Sequence, residues 1–274
     1  MEKNKLVKEI YRKKSFLCLG LDTDISKIPS FLLSESDPVF TFNKQLIDSL
    51  NEIIVAIKIN TAFYEEHGSK GWLSLEKTIK YINSKYPELF TIADAKRGDI
   101  GNTSDRYAKA FFETLSFDSI TVSPYMGSDS VKPFLKYKNK FTILLGLTSN
   151  LGSKDFQLYP KQENPLFKEV ILKSLKWNES NNLMYVIGAT KADYLKEIRS
   201  IVPNSFLLIP GIGAQGGSLK DTFVNGASNE VGLLVNSSRA IIYAGNNNDY
   251  LKKSFKVAKS YQFEMENLIN SLDD

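Results

Sequence analysis

The sequence predicts an α/β protein that forms a single (β/α)8 (TIM) barrel domain over residues 1–274. Eight short apolar runs follow one another along the chain, and several of the stretches between them have helical periodicity. Near-continuous apolar runs of this length are typical of parallel strands that are buried on both faces. The length of 274 residues also suits one barrel of this kind. A doubly wound open sheet is the alternative that the same alternation allows.

The apolar runs give the predicted strands in chain order. They span residues 16–22, 53–60, 89–94, 119–123, 141–147, 183–190, 206–211 and 231–238. Apolar side chains recur on one helical face over 102–115, where Thr103 or Ser104 is the candidate N-cap. Residues 250–272 follow the same spacing, and residues 2–14 predict an extra helix that covers the barrel floor.

Composition and charge exclude several classes of function. The net charge is +4 and the lysines are scattered, which argues against nucleic-acid binding and is compatible with a small anionic ligand. The apolar runs are too short to span a bilayer, and the first residues lack the apolar segment of a signal peptide. One cysteine and one histidine exclude a disulfide, a cysteine-based zinc site and a histidine cluster. We therefore expect a cytoplasmic protein without a metal.

Polar side chains mark the ends of the first three predicted strands. They are Asp22 on the first, Lys58 and Asn60 on the second, and Asp94, Lys96 and then Asp99 on the third. Residues two apart in a strand share a face, so Asp94 and Lys96 should point the same way. Because the carboxyl ends of barrel strands meet at one mouth, these charges are expected to converge there as a candidate catalytic site. The alternative is a set of surface ion pairs, which contribute little.

A phosphate site is predicted after the seventh and eighth strands. The segment PGIGAQGG (210–217) is rich in glycine, which lets backbone N–H groups approach an anion, and Gln215 adds an amide. Arg239, in NSSR (236–239), supplies a permanently charged fork for phosphate oxygens. The alternative for 210–217 is a flexible turn. The long segment 148–165 is either a lid over the ligand or a plain surface loop.

Several motifs resemble one known family. The segment DAKRGDIGNTSDRYA (94–108) resembles the signature of the orotidine 5′-monophosphate decarboxylases, especially the longer bacterial subgroup. Other segments resemble further blocks of that family in the same order, over nearly the whole chain: 19–24, 55–65, 121–130, 209–217 and 236–244.

The resemblance implies an activity and a role for each candidate residue. The activity is decarboxylation of orotidine 5′-monophosphate to UMP without a cofactor, the last step of de novo pyrimidine nucleotide synthesis. The implied catalytic residues are Lys58, Asp94, Lys96 and Asp99. The implied partner is a second copy of the chain, which receives Asp99, Ile100 and Thr103 in its own site. The implied substrate contacts are Asp22 and Asn60 at the ribose, Thr148 or Ser149 at the pyrimidine, and Gln215 and Arg239 at the phosphate.

Two rival functions are compatible with a barrel of this kind. One is a related lyase or aldolase that acts on a sugar phosphate with Mg²⁺. Lys58 would compete with such a cation, and full activity in EDTA would exclude this rival. The other is a barrel that binds a nucleotide without catalysis, which would not need alternating lysines and aspartates.

Overall fold

A computed structural model describes residues 1–160, 164–177, 181–212 and 217–272. In this part of the chain, eight strands are hydrogen-bonded in sequence order and close into a barrel. The strands are β1 (Leu17–Gly20), β2 (Ala56–Asn60), β3 (Phe90–Arg97), β4 (Ser119–Val122), β5 (Phe141–Leu147), β6 (Leu183–Ile187), β7 (Leu207–Pro210) and β8 (Leu233–Ser237). The predicted (β/α)8 barrel is confirmed, and the doubly wound open sheet is wrong.

Helices lie between the strands and at both ends of the chain. They are α1 (Lys3–Lys13), α2 (Pro38–Leu50), α3 (Ala62–Glu65), α4 (Gly68–Lys85), α5 (Gly101–Lys109), α6 (Ser128–Leu135), α7 (Leu166–Leu175), α8 (Ala192–Ile201), α9 (Leu219–Gly226), α10 (Arg239–Ile242) and α11 (Tyr250–Asn270). Short 3₁₀ turns occupy Ser30–Ser34, Leu151–Lys154 and Ala189–Lys191. Among the residues described, no helix combines the length and the apolar character needed to cross a membrane.

Tertiary contacts group the described chain into two compact units. The first comprises Met1–Ala95, Leu115–Phe117 and the segment that starts at Asn236. The second comprises Lys96–Thr114 and Asp118–Val235. In the first unit, β1 pairs with β2 and β2 with β3, both in parallel. In the second unit, β4, β5, β6 and β7 pair in parallel in that order.

The strands are buried as their apolar runs predict. Every residue of β1, β4, β6 and β8 is buried. A strand buried on both faces cannot alternate polar and apolar residues, which is why the runs are near-continuous. The charged residues of the strands are confined to Lys58 of β2 and to Asp94, Lys96 and Arg97 in the last part of β3.

The N-terminal helix α1 lies at the amino ends of β2 and β3. The buried Lys13 ammonium donates to the carbonyls of Asn51 (2.7 Å) and Ile54 (3.0 Å), just before β2. Lys5 Nζ donates to the carbonyl of Pro87 (3.2 Å), just before β3. These bonds satisfy main-chain carbonyls that have no strand partner. The predicted helix over the barrel floor is confirmed at these two strands.

The start of α5 differs from the prediction. Its N-cap is Ile100, whose side chain makes no capping bond, so neither Thr103 nor Ser104 is the cap. The Ser104 hydroxyl instead bonds back to the main chain of Asp99 and forward to that of Ser130. Sequence patterns cannot distinguish these alternatives, because a serine in a first turn can bond in several local ways.

Strand β3 continues past its apolar run. The prediction ends it at Asp94, whereas the structure extends it to Arg97. The Arg97 carbonyl accepts from the Ser123 N–H (2.8 Å), beyond β4. A sheet ladder is made by main-chain groups, so polar side chains do not end a strand whose backbone still has a partner.

Lys96 has a left-handed backbone at the end of this strand. Its φ is +47°, although it carries a side chain. For an L-residue this conformation costs roughly 1–2 kcal/mol, whereas glycine adopts it without a steric penalty. The structure therefore holds Lys96 in a conformation that its own chemistry disfavours.

This strain predicts that Lys96→Gly is more stable than Lys96→Ala. Glycine in a strand is ordinarily less stable than alanine, but here it relieves the left-handed strain. We expect a difference of about 1 kcal/mol, or about 2–4 °C in Tm for a chain of this size, measured by thermal unfolding. The matched control is Ala95→Gly, one residue earlier in β3, which should lower the Tm. A Lys96→Gly protein that melts below Lys96→Ala would contradict the argument.

Candidate active site

Three charged side chains of the first unit meet at the carboxyl ends of β1, β2 and β3. Lys58 Nζ lies 2.9 Å from Asp94 Oδ2 and 3.3 Å from Asp22 Oδ1. The side chains of Lys58 and Asp94 are only 6% and 11% exposed, and that of Asp22 is 20% exposed. The register pairs Asn60, the last residue of β2, with Asp94 of β3. These are buried pairs and not the surface ion pairs of the alternative reading.

The two carboxylates decide the charge of Lys58. Burial by itself lowers the pKa of a lysine, because it penalises the ammonium form. Asp94 and Asp22 outweigh that penalty, and the pKa of Lys58 is raised above its ordinary value. Lys58 therefore remains an ammonium and holds both carboxylates in place.

A hydrogen-bond network supports the segment that carries Asp22. The Tyr243 hydroxyl donates to the Asp22 carbonyl (3.0 Å) and accepts from the Asp24 N–H (2.7 Å). On the other side, the Thr23 hydroxyl donates to Asn43 Oδ1 (2.7 Å). Burial raises the pKa of Tyr243 to about 12, so its hydroxyl keeps its proton.

Sequence reasoning missed these supporting residues. Asn43 is fully buried in α2 and also donates to the Tyr64 hydroxyl (2.9 Å). The available signal was a lone amide on the apolar face of a helix, since a buried amide requires partners. Tyr243 gave no signal, because its partner lies 221 residues away.

The end of β8 carries polar atoms without protein partners. Among the described residues, the buried oxygens Asn236 Oδ1, Ser237 Oγ and Ser238 Oγ accept or donate no hydrogen bond. The lack of a side chain at Gly20 allows these residues to pack there, because a Cβ on Gly20 would lie 2.6 Å from Ser238 Cβ. The next residue, Arg239, is exposed. Since buried polar atoms are normally satisfied, this cluster is suited to a polar ligand.

Lys96, near the end of β3, and Asp99, two residues beyond it, belong to the second unit. The Lys96 side chain is exposed, and Asp99 is half-buried. The Asp99 main chain is held at both polar groups by Ser104 Oγ, which accepts from its N–H (3.1 Å) and donates to its carbonyl (2.7 Å). The carboxylate Oδ1 accepts from the Ile100 N–H (2.7 Å). Asp99 is thus fixed at its backbone.

Thr148 and Ser149, the two candidate pyrimidine contacts after β5, differ in their hydrogen bonds. The Thr148 hydroxyl bonds to Asn150 Oδ1 (2.5 Å) and to the Gln157 side chain (2.9 Å). Within the described ranges, no hydrogen bond of the Ser149 hydroxyl is found. Ser149 packs against Gly188. A Cβ added to Gly188 would lie 2.7 Å from the Cβ of Ser149. The choice between Thr148 and Ser149 as the pyrimidine contact stays a prediction.

The glycine-rich segment after β7 is described only at its two ends. Gly211 has a φ of +103°, which favours glycine, and a Cβ on Gly217 would lie 2.5 Å from that of Ala189. Gln215 lies outside the described residues, so its predicted role remains a prediction. In the described chain, no group of three or more His, Cys, Asp or Glu side chains is arranged to hold a metal ion.

Comparison with known proteins identifies the family of the chain. The model of the orotidine 5′-phosphate decarboxylase / HUMPS family matches residues 15–253. Orotidine 5′-phosphate decarboxylase from Flavobacterium johnsoniae is 58% identical over 99% of both chains. The enzyme of that name from Christiangramia forsetii is 56% identical, over 99% of this chain and 100% of its own.

Solved structures agree with the sequence comparison. OMP decarboxylase from Leishmania donovani has a TM-score of 0.80 at 34% identity, over 96% of this chain and 100% of its own. Orotidine 5′-monophosphate decarboxylase from Methanocaldococcus jannaschii, complexed with the inhibitor BMP, has a TM-score of 0.64 at 26% identity, over 92% and 98% of the two chains. The barrel, the charges at its strand ends and these matches together show that the chain belongs to the orotidine 5′-phosphate decarboxylase / HUMPS family.

Proposed function

We propose that the chain decarboxylates orotidine 5′-monophosphate to UMP, the last step of de novo pyrimidine nucleotide synthesis, and that it does so without a cofactor. The observation that carries the proposal is the buried Lys58 between Asp22 and Asp94. Lys96 follows two residues after Asp94 and adds a second ammonium. The family match and the names of the relatives support the same reaction.

The reaction needs a group that can stabilise and then protonate a carbanion. Breaking the bond between C6 and the carboxylate releases CO2 and leaves the electron pair on C6. The pyrimidine offers no conjugated sink for that pair. In the proposed mechanism, the Lys96 ammonium stabilises the developing charge and gives its proton to C6.

Asp94 and Lys58 act on the bound substrate before that step. Asp94, placed beside the substrate carboxylate, disfavours the bound ground state, and this repulsion disappears as CO2 leaves. Lys58 keeps Asp94 fixed, because the pair is 2.9 Å apart and buried. The left-handed backbone of Lys96 fits this scheme, since strained residues cluster at sites where geometry is imposed.

The remaining candidate residues bind the substrate away from C6. Asp22 and Asn60 contact the ribose, and Ser149 contacts the pyrimidine, with Thr148 holding the neighbouring loop. Arg239 and Gln215 bind the 5′-phosphate, together with the polar cluster at the end of β8. Binding energy gained at the phosphate is then available to hold the catalytic groups around the pyrimidine.

We further propose that the protein acts in the cytoplasm as a homodimer of single-domain subunits. Asp99, Ile100 and Thr103 would enter the site of the partner subunit. Ile100 and Tyr125 are 61% and 81% exposed, on the segments that follow β3 and β4. Large exposed apolar side chains of this kind favour an interface with a second copy.

The first test of the function is Lys96→Ala. The variant should fold but lose decarboxylation by at least about four orders of magnitude, because it lacks both the charge and the proton donor. Loss of absorbance of orotidine 5′-monophosphate measures the reaction, with EDTA present to exclude a metal-dependent lyase. Lys252→Ala, an exposed lysine of α11, is the matched control and should retain full activity. A Lys96→Ala protein with a tenth of the normal rate would refute the assignment of Lys96.

The phosphate contact is tested by Arg239→Ala. Removal of a charge-assisted hydrogen bond should weaken binding by about 2 kcal/mol, or about 30-fold in kcat/KM. The same variant should lose little against orotidine, which lacks the phosphate. Equal losses on both substrates would show that Arg239 is not the phosphate ligand.

The shared site is tested by mixing two inactive variants, Lys96→Ala and Asp99→Ala. In a mixed dimer, one site carries both lesions and the other carries neither. Random pairing at equal concentration makes about half of the dimers mixed, so about a quarter of all sites are intact. Activity should rise to about a quarter of normal.

A matched mixture provides the control for this experiment. Lys96→Ala mixed with Asp94→Ala should stay inactive, because both residues come from β3 of the same chain. If subunit exchange is demonstrated and the first mixture also stays inactive, Asp99 acts within its own chain and the shared-site model is wrong.

A further inference from the structure

The left-handed backbone of Lys96 has a specific partner on the neighbouring strand. The Lys96 N–H donates to the Thr121 hydroxyl oxygen at 2.9 Å. Thr121 lies in β4 and is only 1% exposed. A regular ladder would pair that N–H with a main-chain carbonyl, so a side-chain oxygen is used where the backbone departs from strand geometry.

The chain immediately after Lys96 is held independently. The Arg97 carbonyl accepts from the Ser123 N–H, and its guanidinium lies 5.4 Å and 5.6 Å from the ring centres of Tyr107 and Phe111. Gly98 passes so close to β4 that a Cβ would lie 2.8 Å from the Ser123 carbonyl oxygen. The main chain that follows Lys96 is thus held beside β4.

The direction of the Lys96 side chain depends on the φ angle of that residue. Relaxation of φ from +47° to an ordinary strand value would turn the N–H relative to Cβ, so the peptide before Lys96 would swing and the Cα would shift, together with Cβ and the ammonium. The strain of the left-handed state favours such a rotation. The Thr121 hydroxyl opposes this rotation, because it accepts from the Lys96 N–H where the left-handed state places that group.

We propose that Thr121 is a positioning residue for Lys96: its hydroxyl holds the strained backbone and so aims the ammonium at the reacting carbon. This inference rests on the proposed function, because it assumes that Lys96 acts on the substrate. Thr121 itself touches the main chain of Lys96 and needs no contact with the substrate. Its effect should therefore fall on the chemical step and spare substrate binding.

The test compares Thr121→Val with Thr121→Ser. Valine keeps the shape of threonine but lacks the acceptor, whereas serine keeps the acceptor. We expect Thr121→Val to lower kcat by about 10- to 100-fold, the effect of misplacing a catalytic group by about 1 Å, with KM changed less than about threefold. Thr121→Ser should keep kcat within about threefold of normal.

The neighbouring strand offers a matched control. Thr142 of β5 is also fully buried, and its hydroxyl has no hydrogen-bond partner among the described residues. Thr142→Val makes the same exchange without removing a bond, and its kcat should be unchanged. An equal fall of kcat in Thr121→Val and Thr142→Val would overturn the proposal, as would a normal kcat in Thr121→Val or a loss of kcat in Thr121→Ser.

Two further results separate the possible failures. Thr121→Ala lacks the acceptor and adds no bulk; if neither it nor Thr121→Val folds, as judged by circular dichroism, Thr121 is a structural residue and the positioning role is rejected. If Lys96→Ala retains activity, the proposed function of Lys96 fails first. If Lys96→Ala is inactive and Thr121→Val is fully active, only the positioning role is wrong.

Discussion

The candidate site depends on one buried ammonium between two carboxylates. Burying any of these three charges alone would cost several kcal/mol, and a buried pair is tolerated only when its geometry is good. Lys58 offsets this cost for both carboxylates, because its Nζ lies 2.9 Å from Asp94 Oδ2 and 3.3 Å from Asp22 Oδ1. The carboxyl ends of β1, β2 and β3 are therefore tied to each other by charge as well as by the sheet ladder.

The rest of the molecule holds these charges still. Tyr243, the residue after α10, bonds to the main chain of Asp22, and Asn43 of α2 bonds to the hydroxyl of the neighbouring Thr23. Ser104 holds both main-chain polar groups of Asp99, and Thr121 accepts the N–H of Lys96. Tyr243, Ser104 and Thr121 are neutral side chains that bond to the backbone of a charged residue. These bonds restrain the main chain and do not engage the carboxylate or ammonium that the proposed reaction uses.

The end of β8 is left with unsatisfied polarity. Buried oxygens of Asn236 and Ser237 have no partner in the described chain. Unpaired buried polar atoms lower stability by about 1–3 kcal/mol each. Such a cost is understandable if the phosphorylated substrate of the proposed reaction supplies the missing hydrogen bonds at this strand end.

The sequence by itself determined the eight strands, their order and the residue types at their ends. These features are local: run length and periodicity follow from neighbouring residues, so the barrel and the positions of Asp94 and Lys58 could be predicted. The end of β3 and the N-cap of α5 could not, because they depend on partners beyond the segment.

Only the tertiary structure decided which groups distant in sequence form hydrogen bonds with each other. The Tyr243 hydroxyl reaches the Asp22 carbonyl across 221 residues, and the left-handed φ of Lys96 coincides with an acceptor on β4. Neither leaves a periodic pattern in the sequence. A hydrogen bond requires two atoms within about 3 Å, and for residues distant in sequence that distance is set by how the whole chain packs.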